Sequence, residues 1–373
     1  MSSYFALLVK RARRIIATPL RKPSMPASIG KPTIYDIARL SGASPSTVSA
    51  VLSGKSTQRR IKESTQAHIL AIAARSGYSP NLQARGLRSA RSGLAGMIIP
   101  LHENRFFASL SQSFDTRARA RGLCPVIAST LRNPTEEARV VETLISYKVD
   151  TLFIAGATDP DALGAICAAA KLQHVFIDLP GCTAPSVVTH NTHGAELLTR
   201  RLLRDIKPSA HAPRARPYFL GGNAADNATT LRVKAFQAVA RQLGIAAADA
   251  QILLCGYAPR NATLAIEAVH KRLGGLPAAI FVNSLTVFEG VMSHFVKLPP
   301  EAFNDCAIGC YDYDPLAGYL QFPVTMVRQN TDLLIDKGYE LLDAAVTGPL
   351  LVEIEPDLIE PRTFYQGPVS DLG

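Results

Sequence analysis

The segment that most constrains the fold comprises residues 33–54, where two short helical patterns flank a single glycine. Thr33 and the aspartate three residues later form a capping-box variant, which predicts the start of a first helix. Gly42 permits a tight turn that a side chain would hinder. Ser44 suits the N-cap and Pro45 the first position of a second helix. The pattern predicts a helix-turn-helix, and an ordinary surface helical hairpin is the alternative.

The two helices divide into an apolar face and a small polar face. The apolar side chains expected in the core are Ile34, Ile37, Ala38, Leu40, Val48, Val51 and Leu52. The outer face of the second helix is left with Pro45, Ser46, Ser49 and Ala50. A second helix that exposes its first residues is how a helix-turn-helix reads the major groove of DNA.

Charge is distributed very unevenly along the chain. Residues 1–93 hold 16 Lys and Arg against 2 Asp and Glu, whereas the remaining 280 residues hold 24 against 28. The overall formal charge of +10 is therefore that of a basic head on a mildly acidic body. Such a head suits a polyanion, because neutralising phosphates dominates non-specific affinity for DNA. For part of residues 10–22 a solvated basic tail is the simpler interpretation.

A second motif, Tyr-x-Pro-Asn-x-x-Ala-Arg-x-Leu, begins at Tyr78. With the earlier pattern it makes the segment resemble the DNA-binding head of the LacI family of bacterial transcription regulators. The residues that match are Thr33, Asp36, Ile37, Ala38, Gly42, Ser44, Ser46, Thr47, Val48, Ser49, Val51, Leu52, Gly54, Thr65, Gly77, Tyr78, Pro80, Asn81, Ala84, Arg85 and Leu87. The resemblance extends over roughly residues 31–365.

The resemblance implies an all-α helix-turn-helix head over 31–79, a hinge helix and linker over 80–93, and a two-lobed α/β sensor. The sensor would have the periplasmic-binding-protein-like (type I) fold, with one lobe formed by 94–187 and 325–347 and the other by 188–324 and 348–365. The implied protein is a cytoplasmic homodimer that binds double-stranded operator DNA, as a repressor, and responds to a small sugar or sugar phosphate.

The DNA-binding residues that the resemblance implies are Thr33, Ser44, Pro45, Ser46, Thr47, Ser49, Ala50, Tyr78, Asn81, Ala84, Arg85, Leu87 and Arg88. Leu87 takes the place of a leucine that wedges open a base step in the minor groove. Ala50 stands where arginine is common; it cannot make a bidentate contact to guanine, but it can pack on a thymine methyl. The segment 55–60 resembles the longer loop of the fructose-repressor branch, which implies a phosphorylated hexose as effector.

Beyond residue 94 the chain alternates apolar strands with helices, twice over. The predicted strands are 94–100, 124–130, 151–156, 174–180 and 186–190, then 218–222, 252–255, 279–283, 306–311 and 324–327. Nearly continuous apolar strands between helices are typical of parallel sheets covered on both faces. A cleft between two such lobes, at the carboxyl ends of the strands, is a natural site for a small molecule.

The effector residues that the resemblance implies are Phe106, Phe107, Asp178, Arg232, Asn283 and Asp312. Carboxylates and amides pair with the hydroxyls of a sugar, and a guanidinium offers a bidentate fork. The chain departs from the family pattern at Arg105, Ala235 and Ser284, which stand for proline, glycine and aspartate. Simpler roles remain open, because Asp312 could cap a turn and both phenylalanines could belong to the core.

Other features exclude several functions. His190 and His193 have metal-like spacing but no accompanying ligand set, so no metal is expected. No phosphate-binding glycine loop and no Ser/His/Asp motif supports a cofactor or catalysis, so the protein is not expected to be an enzyme. Six scattered cysteines suit a reduced cytoplasm. The alternatives are a sugar-binding α/β enzyme and a sensor module without specific DNA binding.

Residues 1–30 precede the usual start of such a head. The apolar run 5–9 is too short to span a membrane, and its basic residues follow it rather than precede it, unlike a secretory signal. We expect a disordered basic extension, or translation that begins at Met25.

Overall fold

A computed structural model describes residues 32–78, 91–204, 206, 216–245 and 249–362. The expectations for residues 1–30 and for Asn81, Ala84, Arg85, Leu87 and Arg88 lie outside these ranges, as does most of the predicted linker. The chain divides into two compact units, a head that contains residues 32–78 and a sensor that contains the described residues from 91 onward.

The head consists of three helices, α1 (Ile34–Ser41), α2 (Pro45–Leu52) and α3 (Glu63–Arg75). Thr33 and Asp36 form the predicted capping box: the Asp36 backbone N–H donates to Thr33 Oγ1 at 3.3 Å, and the Thr33 N–H donates to Asp36 Oδ2 at 2.9 Å. Gly42 turns the chain with a left-handed φ of +66°. The predicted helix-turn-helix is confirmed.

The head has a small apolar core to which all three helices contribute. Its buried members are Ile37, Ala38, Val48, Val51, Ile69, Ile72 and Ala73. Ile34 and Leu52 pack partly against it, as expected. The prediction for Leu40 is wrong, because its side chain is 58% exposed. On a helix of 3.6 residues per turn, Leu40 lies about 110° around α1 from the middle of the stripe formed by Ile37 and Ala38, so it points away from the core.

The first lobe of the sensor is a six-stranded parallel sheet. In chain order its strands are β1 (Leu94–Ile99), β2 (Cys124–Ser129), β3 (Thr151–Ala155), β4 (Gln173–Ile177), β5 (Ser186–Thr189) and β11 (Leu351–Ile354). In space they run β11-β5-β4-β3-β1-β2. The helices of this lobe are α4 (Arg105–Ala120), α5 (Pro134–Ser146), α6 (Pro160–Ala169) and α11 (Thr331–Asp343).

The second lobe repeats this arrangement. Its strands are β6 (Pro217–Leu220), β7 (Ile252–Leu253), β8 (Ala279–Val282), β9 (Ala307–Tyr311), β10 (Val324–Arg328) and β12 (Asp357–Ile359), ordered β12-β10-β9-β8-β6-β7. Only the β10–β12 pair is antiparallel among the described strands. The helices are α7 (Asn191–Leu203), α8 (Asn227–Gln242), α9 (Pro259–Leu273) and α10 (Leu285–Phe295). Short 3-10 turns cover 249–251, 300–303 and 315–319.

The chain crosses between the lobes three times, and two of the three predicted lobe boundaries are wrong by several residues. The strand 324–328 belongs to the second sheet, because Val324 pairs in register with Ile308 of β9. The strand 351–354 belongs to the first sheet, because Leu351 pairs with Ser186 of β5. The first crossover follows β5, which ends at Thr189, close to the predicted residue 188. The other two follow β10 and β11, rather than lying near residues 324 and 348.

Both sheets are buried on both faces, as the apolar strands predict. The first sheet packs Phe153 and Phe176 into opposite layers of the lobe, and the second buries Phe219 and Phe281 in stacked contact at 4.8 Å. Among the described residues, no helix has both the length and the apolar character needed to cross a membrane.

Candidate functional site

A cavity of about 320 Å³ lies between the two lobes, where the strands of both sheets end. Five of the six predicted effector residues line it: Phe106, Phe107, Asp178, Arg232 and Asp312. The strand ends bring these residues together because open α/β sheets place their ligand-binding loops at the carboxyl edge.

Two buried aspartates occupy corresponding places in the two lobes. Asp178 follows β4 and Asp312 follows β9, the fourth strand of each lobe along the chain. Both have left-handed backbones, with φ of +73° and +81°. Aspartate tolerates this conformation better than most residues, but it still stores strain, and strain of this kind gathers at functional sites.

Burial dominates the electrostatics of these carboxyl groups. It raises the pKa of Asp178 to about 6, against the opposing attraction of Arg232 and Arg132. Burial also raises the pKa of Asp312, although Arg232 and a hydrogen bond from Gln329 oppose it. Within the described ranges, no donor reaches the Asp178 carboxylate. Its oxygens are therefore available to hydroxyl groups of a ligand.

Arg232 is held rigidly by the second lobe and is only 5% exposed. Its Nε donates to Asn191 Oδ1 at 2.8 Å, and its Nη1 donates to the Asn283 carbonyl oxygen at 2.8 Å. The guanidinium carbon lies 3.5 Å from the centroid of the Tyr311 ring. These contacts leave Nη2 without a protein acceptor among the described residues, so it can donate to a ligand in the cavity.

Asn283 is the sixth predicted effector residue, and the structure gives it a supporting position. It is fully buried and does not line the cavity. Its carbonyl accepts from Arg232, while its Nδ2 donates to Thr229 Oγ1 at 3.2 Å. Asn283 therefore orients the arginine rather than facing the ligand.

Hydrogen bonds connect the cavity to two of the crossovers. Asn191, which bonds Arg232, also donates to the Thr189 carbonyl at 3.0 Å. The Thr189 hydroxyl donates to Gln329 Oε1, and Gln329 Nε2 donates to Asp312 Oδ1. Residues 189–191 and Gln329 lie where the chain passes between the lobes, so these bonds join the cavity wall to two of the crossovers.

The two phenylalanines belong to the core, which was one of the roles that the sequence left open, and they also line the cavity. Phe106 and Phe107 are buried in the core of the first lobe, with ring centroids 5.0 Å apart, and both also line the cavity. Asn104 fixes them by capping α4, because its Oδ1 accepts from the Phe106 backbone N–H at 2.9 Å. The rings can cover an apolar sugar face.

Several lining residues were missed from the sequence. They are Leu101, Glu103, Asn104, Arg132, Leu179, Ala228, Tyr257, Ala258, Pro259, Ser284, Thr286, Glu289 and Gln329. Arg132 and Tyr257 follow β2 and β7, so the rule that ligands bind beyond the strand ends would have found them. Gln329 was missed because the crossover was placed before β10 instead of after it.

The second candidate surface is the start of α2 in the head. Pro45 and Ser46 are exposed there, and Thr47, Ser49 and Ala50 are half-buried. The Ser44 hydroxyl caps the helix by accepting from the Thr47 backbone N–H at 3.2 Å, and lies 2.8 Å from the Ser46 hydroxyl. This presents small polar groups at a helix N-terminus, an arrangement suited to phosphate and base edges.

Tyr78 is a predicted DNA-binding residue that follows α3. It is half-buried and packs against the core of the head, and its backbone N–H donates to the Ala73 carbonyl at 3.0 Å. The ring therefore helps to complete the head.

A helix-turn-helix head joined to a two-lobed sensor defines a ligand-controlled DNA-binding protein, and the comparisons identify the family. The profile of "Bacterial regulatory proteins, lacI family" matches residues 33–81. The chain is 30% identical over 318 residues to the sucrose operon repressor of Klebsiella pneumoniae, covering 85% of this chain and 92% of that protein. The chain therefore belongs to the lacI family.

Two further comparisons are with a relative that matches part of the chain and with a solved structure of similar fold. The ribitol operon repressor of Klebsiella aerogenes is 44% identical over 173 residues, which cover 46% of this chain and 64% of that relative. The lac repressor dimer bound to operator and the anti-inducer ONPF superposes with a TM-score of 0.73 at 20% identity, covering 90% of this chain and 99% of that one. At that identity the structural likeness shows the fold alone. The matched relatives are transcription regulators.

Proposed function

We propose that this protein is a dimeric, sequence-specific transcription repressor whose binding to operator DNA is controlled by a small polyhydroxy effector in the interlobe cavity. The observation that carries the proposal is the pair of buried aspartates, Asp178 and Asp312, facing a rigidly held Arg232. Unpaired carboxylate oxygens are costly to bury, and the hydroxyls of a sugar or polyol satisfy them.

The charges around the cavity favour a neutral effector over a phosphorylated one. Four carboxyl groups line it, against two guanidinium groups, Arg132 and Arg232. Burial, Glu103 and Asp314 raise the pKa of Glu289, so added negative charge is unfavourable there. A neutral sugar or polyol is also consistent with the names of the ribitol and sucrose operon repressors. The 55–60 loop, which resembles that of the fructose-repressor branch, belongs to the head. It therefore gives no information about the charge of an effector bound in the cavity.

In the proposed control, the effector acts through the crossovers between the two lobes. Effector bound between Asp178 and Arg232 changes the separation of the lobes, and the bonds through Asn191, Thr189 and Gln329 carry that change to the crossovers. A coupling of about 1–3 kcal/mol suffices to change operator occupancy several-fold to about a hundred-fold. The cavity acts as a sensor and catalyses nothing, and the protein works in the cytoplasm with the DNA.

In the head, we assign base reading to Pro45, Ser46 and Ala50 at the start of α2, with Thr33, Ser44, Thr47 and Ser49 toward the phosphates. Two heads on a two-fold axis would read a pseudo-palindromic operator. Leu87, with Ala84 beside it, is assigned to the minor groove from its match to the family motif. Asn81, Arg85 and Arg88 complete the proposed contacts.

Selection of random duplex DNA by the full-length protein at near-physiological salt tests this proposal. The expected product is a two-fold symmetric site with a deformable pyrimidine–purine step at its centre. Release of that DNA by a panel of neutral sugars and polyols then identifies the effector class. Enrichment of no sequence, with binding that disappears as salt rises, would reduce the head to a non-specific basic unit and refute the proposal.

A further inference from the structure

Arg132 reaches across the mouth of the cleft from the first lobe to the second. It lies in the loop between β2 and α5, and its guanidinium carbon is 4.5 Å from the centroid of the Tyr257 ring, which follows β7. Both residues line the interlobe cavity. A guanidinium over a tyrosine face is attracted by the ring quadrupole, so this stack is a favourable contact between the two lobes.

Each half of the stack is anchored within its own lobe. The Tyr257 hydroxyl donates to Asp226 Oδ2 at 2.7 Å and lies 3.2 Å from Thr229 Oγ1. The loop of Arg132 is fixed by the backbone N–H of Leu131, which donates to the Pro100 carbonyl at 2.9 Å. The Tyr257 ring and the backbone that carries Arg132 are therefore each held within their own lobe.

The backbone of this loop is strained. Leu131 and Arg132 have φ of +54° and +55°, a left-handed conformation that is unfavourable for residues other than glycine. Glycine would relieve the strain but would remove the side chain that reaches Tyr257. Strain kept in favour of a side chain that lines a ligand cavity indicates a role in binding.

The stack also limits the size of the cavity. At about 320 Å³ the space lies at the lower end of the range for small-molecule sites. Arg132 and Tyr257 together form one wall of this space, to which each lobe contributes one side chain. Within the described residues, Arg132 is also the one guanidinium that the first lobe contributes to the lining, opposite Arg232 from the second.

We infer that Arg132 is a specificity-determining residue, which by stacking on Tyr257 restricts the effector to a single sugar or polyol unit and excludes disaccharides. This inference rests on the proposed function and narrows its effector class. The guanidinium serves as both a wall and a donor to hydroxyl groups. Lysine in its place would keep the charge but not the planar stack.

The test is calorimetric titration of the full-length protein with ribitol, ribose, glucose, fructose and sucrose, repeated for Arg132→Ala and Arg132→Lys. We expect the wild type to bind at least one single-unit ligand about tenfold or more tighter than sucrose. Both variants should lose most of that discrimination. Arg139→Ala is the matched control, because Arg139 is exposed on α5 of the same lobe and does not line this cavity; its discrimination should be unchanged.

A wild type that binds sucrose as tightly as the single units, or an Arg132→Ala protein that keeps the discrimination, would overturn the inference. A wild type that binds no member of the panel would instead refute the proposed effector class. Hydrogen exchange of the ligand-free protein then tests the stack directly. Arg132→Ala should speed exchange of amides 255–258 several-fold, and unchanged exchange there would show that the stack does not hold the lobes.

Discussion

At the scale of single residues, the sensor combines groups that are unfavourable without a ligand. Asp178 has a strained backbone, is buried, and lacks a hydrogen-bond donor among the described residues. Asp312 shares the strain and the burial but has Gln329 as a donor. A protein selected only for stability would not keep such a pair, and the cost is consistent with a site preorganised for binding.

Asp178→Asn should therefore stabilise the ligand-free protein while weakening effector binding. The pKa of Asp178 is about 6 in the folded protein, above its ordinary value of 3.8. As pH rises between these values, the carboxyl ionises more readily in the unfolded chain than in the folded protein, so the free energy of unfolding falls. At pH 7.5 its full penalty, on the order of 2 kcal/mol, is present. Thermal unfolding against pH should show the variant a few degrees more stable at pH 7.5, with the difference vanishing near pH 4.

Asp305→Asn is the control, since Asp305 is exposed and should leave both the melting temperature and effector affinity unchanged. A variant less stable than wild type at pH 7.5 would mean that the Asp178 charge is well solvated or paired, contrary to its burial.

At the scale of elements, the strands that the sequence revealed are those with continuous apolar runs. The ten predicted strands all occur within a few residues of their expected bounds, because burial on both faces leaves a clear pattern. The strands β11 and β12 were missed. They are short, half-exposed edge strands with alternating charged residues such as Glu353 and Asp357, a pattern that does not distinguish a strand from a loop.

The residues of the interlobe cavity likewise divide into those that a sequence motif predicted and those that it did not. Resemblance to a family motif predicted six effector positions, and five of them line the cavity. The stack of Arg132 on Tyr257 joins residues 125 positions apart in different lobes, and no local pattern signals it. Loop residues without periodicity depend on the tertiary arrangement of the strands that precede them.

Two substitutions of Gly42 can be compared to test the turn between α1 and α2. A Cβ at this position would meet no heavy atom within 4 Å, so a substitution tests backbone conformation alone. Gly42→Val should destabilise the head by about 1–2 kcal/mol, because a β-branched residue resists the left-handed φ. Gly42→Asn should cost only a few tenths, because asparagine tolerates it.

For both variants, hydrogen exchange in α1 and α2 measures the loss of stability of the head, and operator affinity measures its effect on DNA binding. Equal losses for valine and asparagine would contradict the assignment of the turn to the positive φ. Exchange in the sensor should be unaffected in either case.

At the scale of the whole molecule, the coupling depends on the crossovers. Thr189→Val removes the hydroxyl that links one crossover to Gln329 at another, while preserving the side-chain shape. We expect effector affinity to stay within a few-fold of wild type, but the ratio of operator affinities with and without effector should fall several-fold. Thr199→Val is the control, because that hydroxyl bonds only to the Ala195 carbonyl within α7. Unchanged coupling in Thr189→Val would exclude this route.

Recognition of DNA has its own prediction, derived from the family motif. Leu87→Ala should lower affinity for the selected operator by about tenfold or more while largely sparing affinity for random DNA, since the leucine wedge acts through bending of a specific step. Binding to both duplexes, titrated at several salt concentrations, measures the difference. An equal loss on both would reject the wedge.

The three crossovers also determine how a protein of this architecture can be divided. The head is one continuous stretch of sequence, so a single recombination event in the linker could join it to a different sensor. The lobes have no such boundary, because β11 completes the first sheet and β12 the second only after the chain has left and re-entered each. A chain cut before residue 351 would leave one edge of both sheets unpaired. Exchange of parts between related genes should therefore keep the sensor whole.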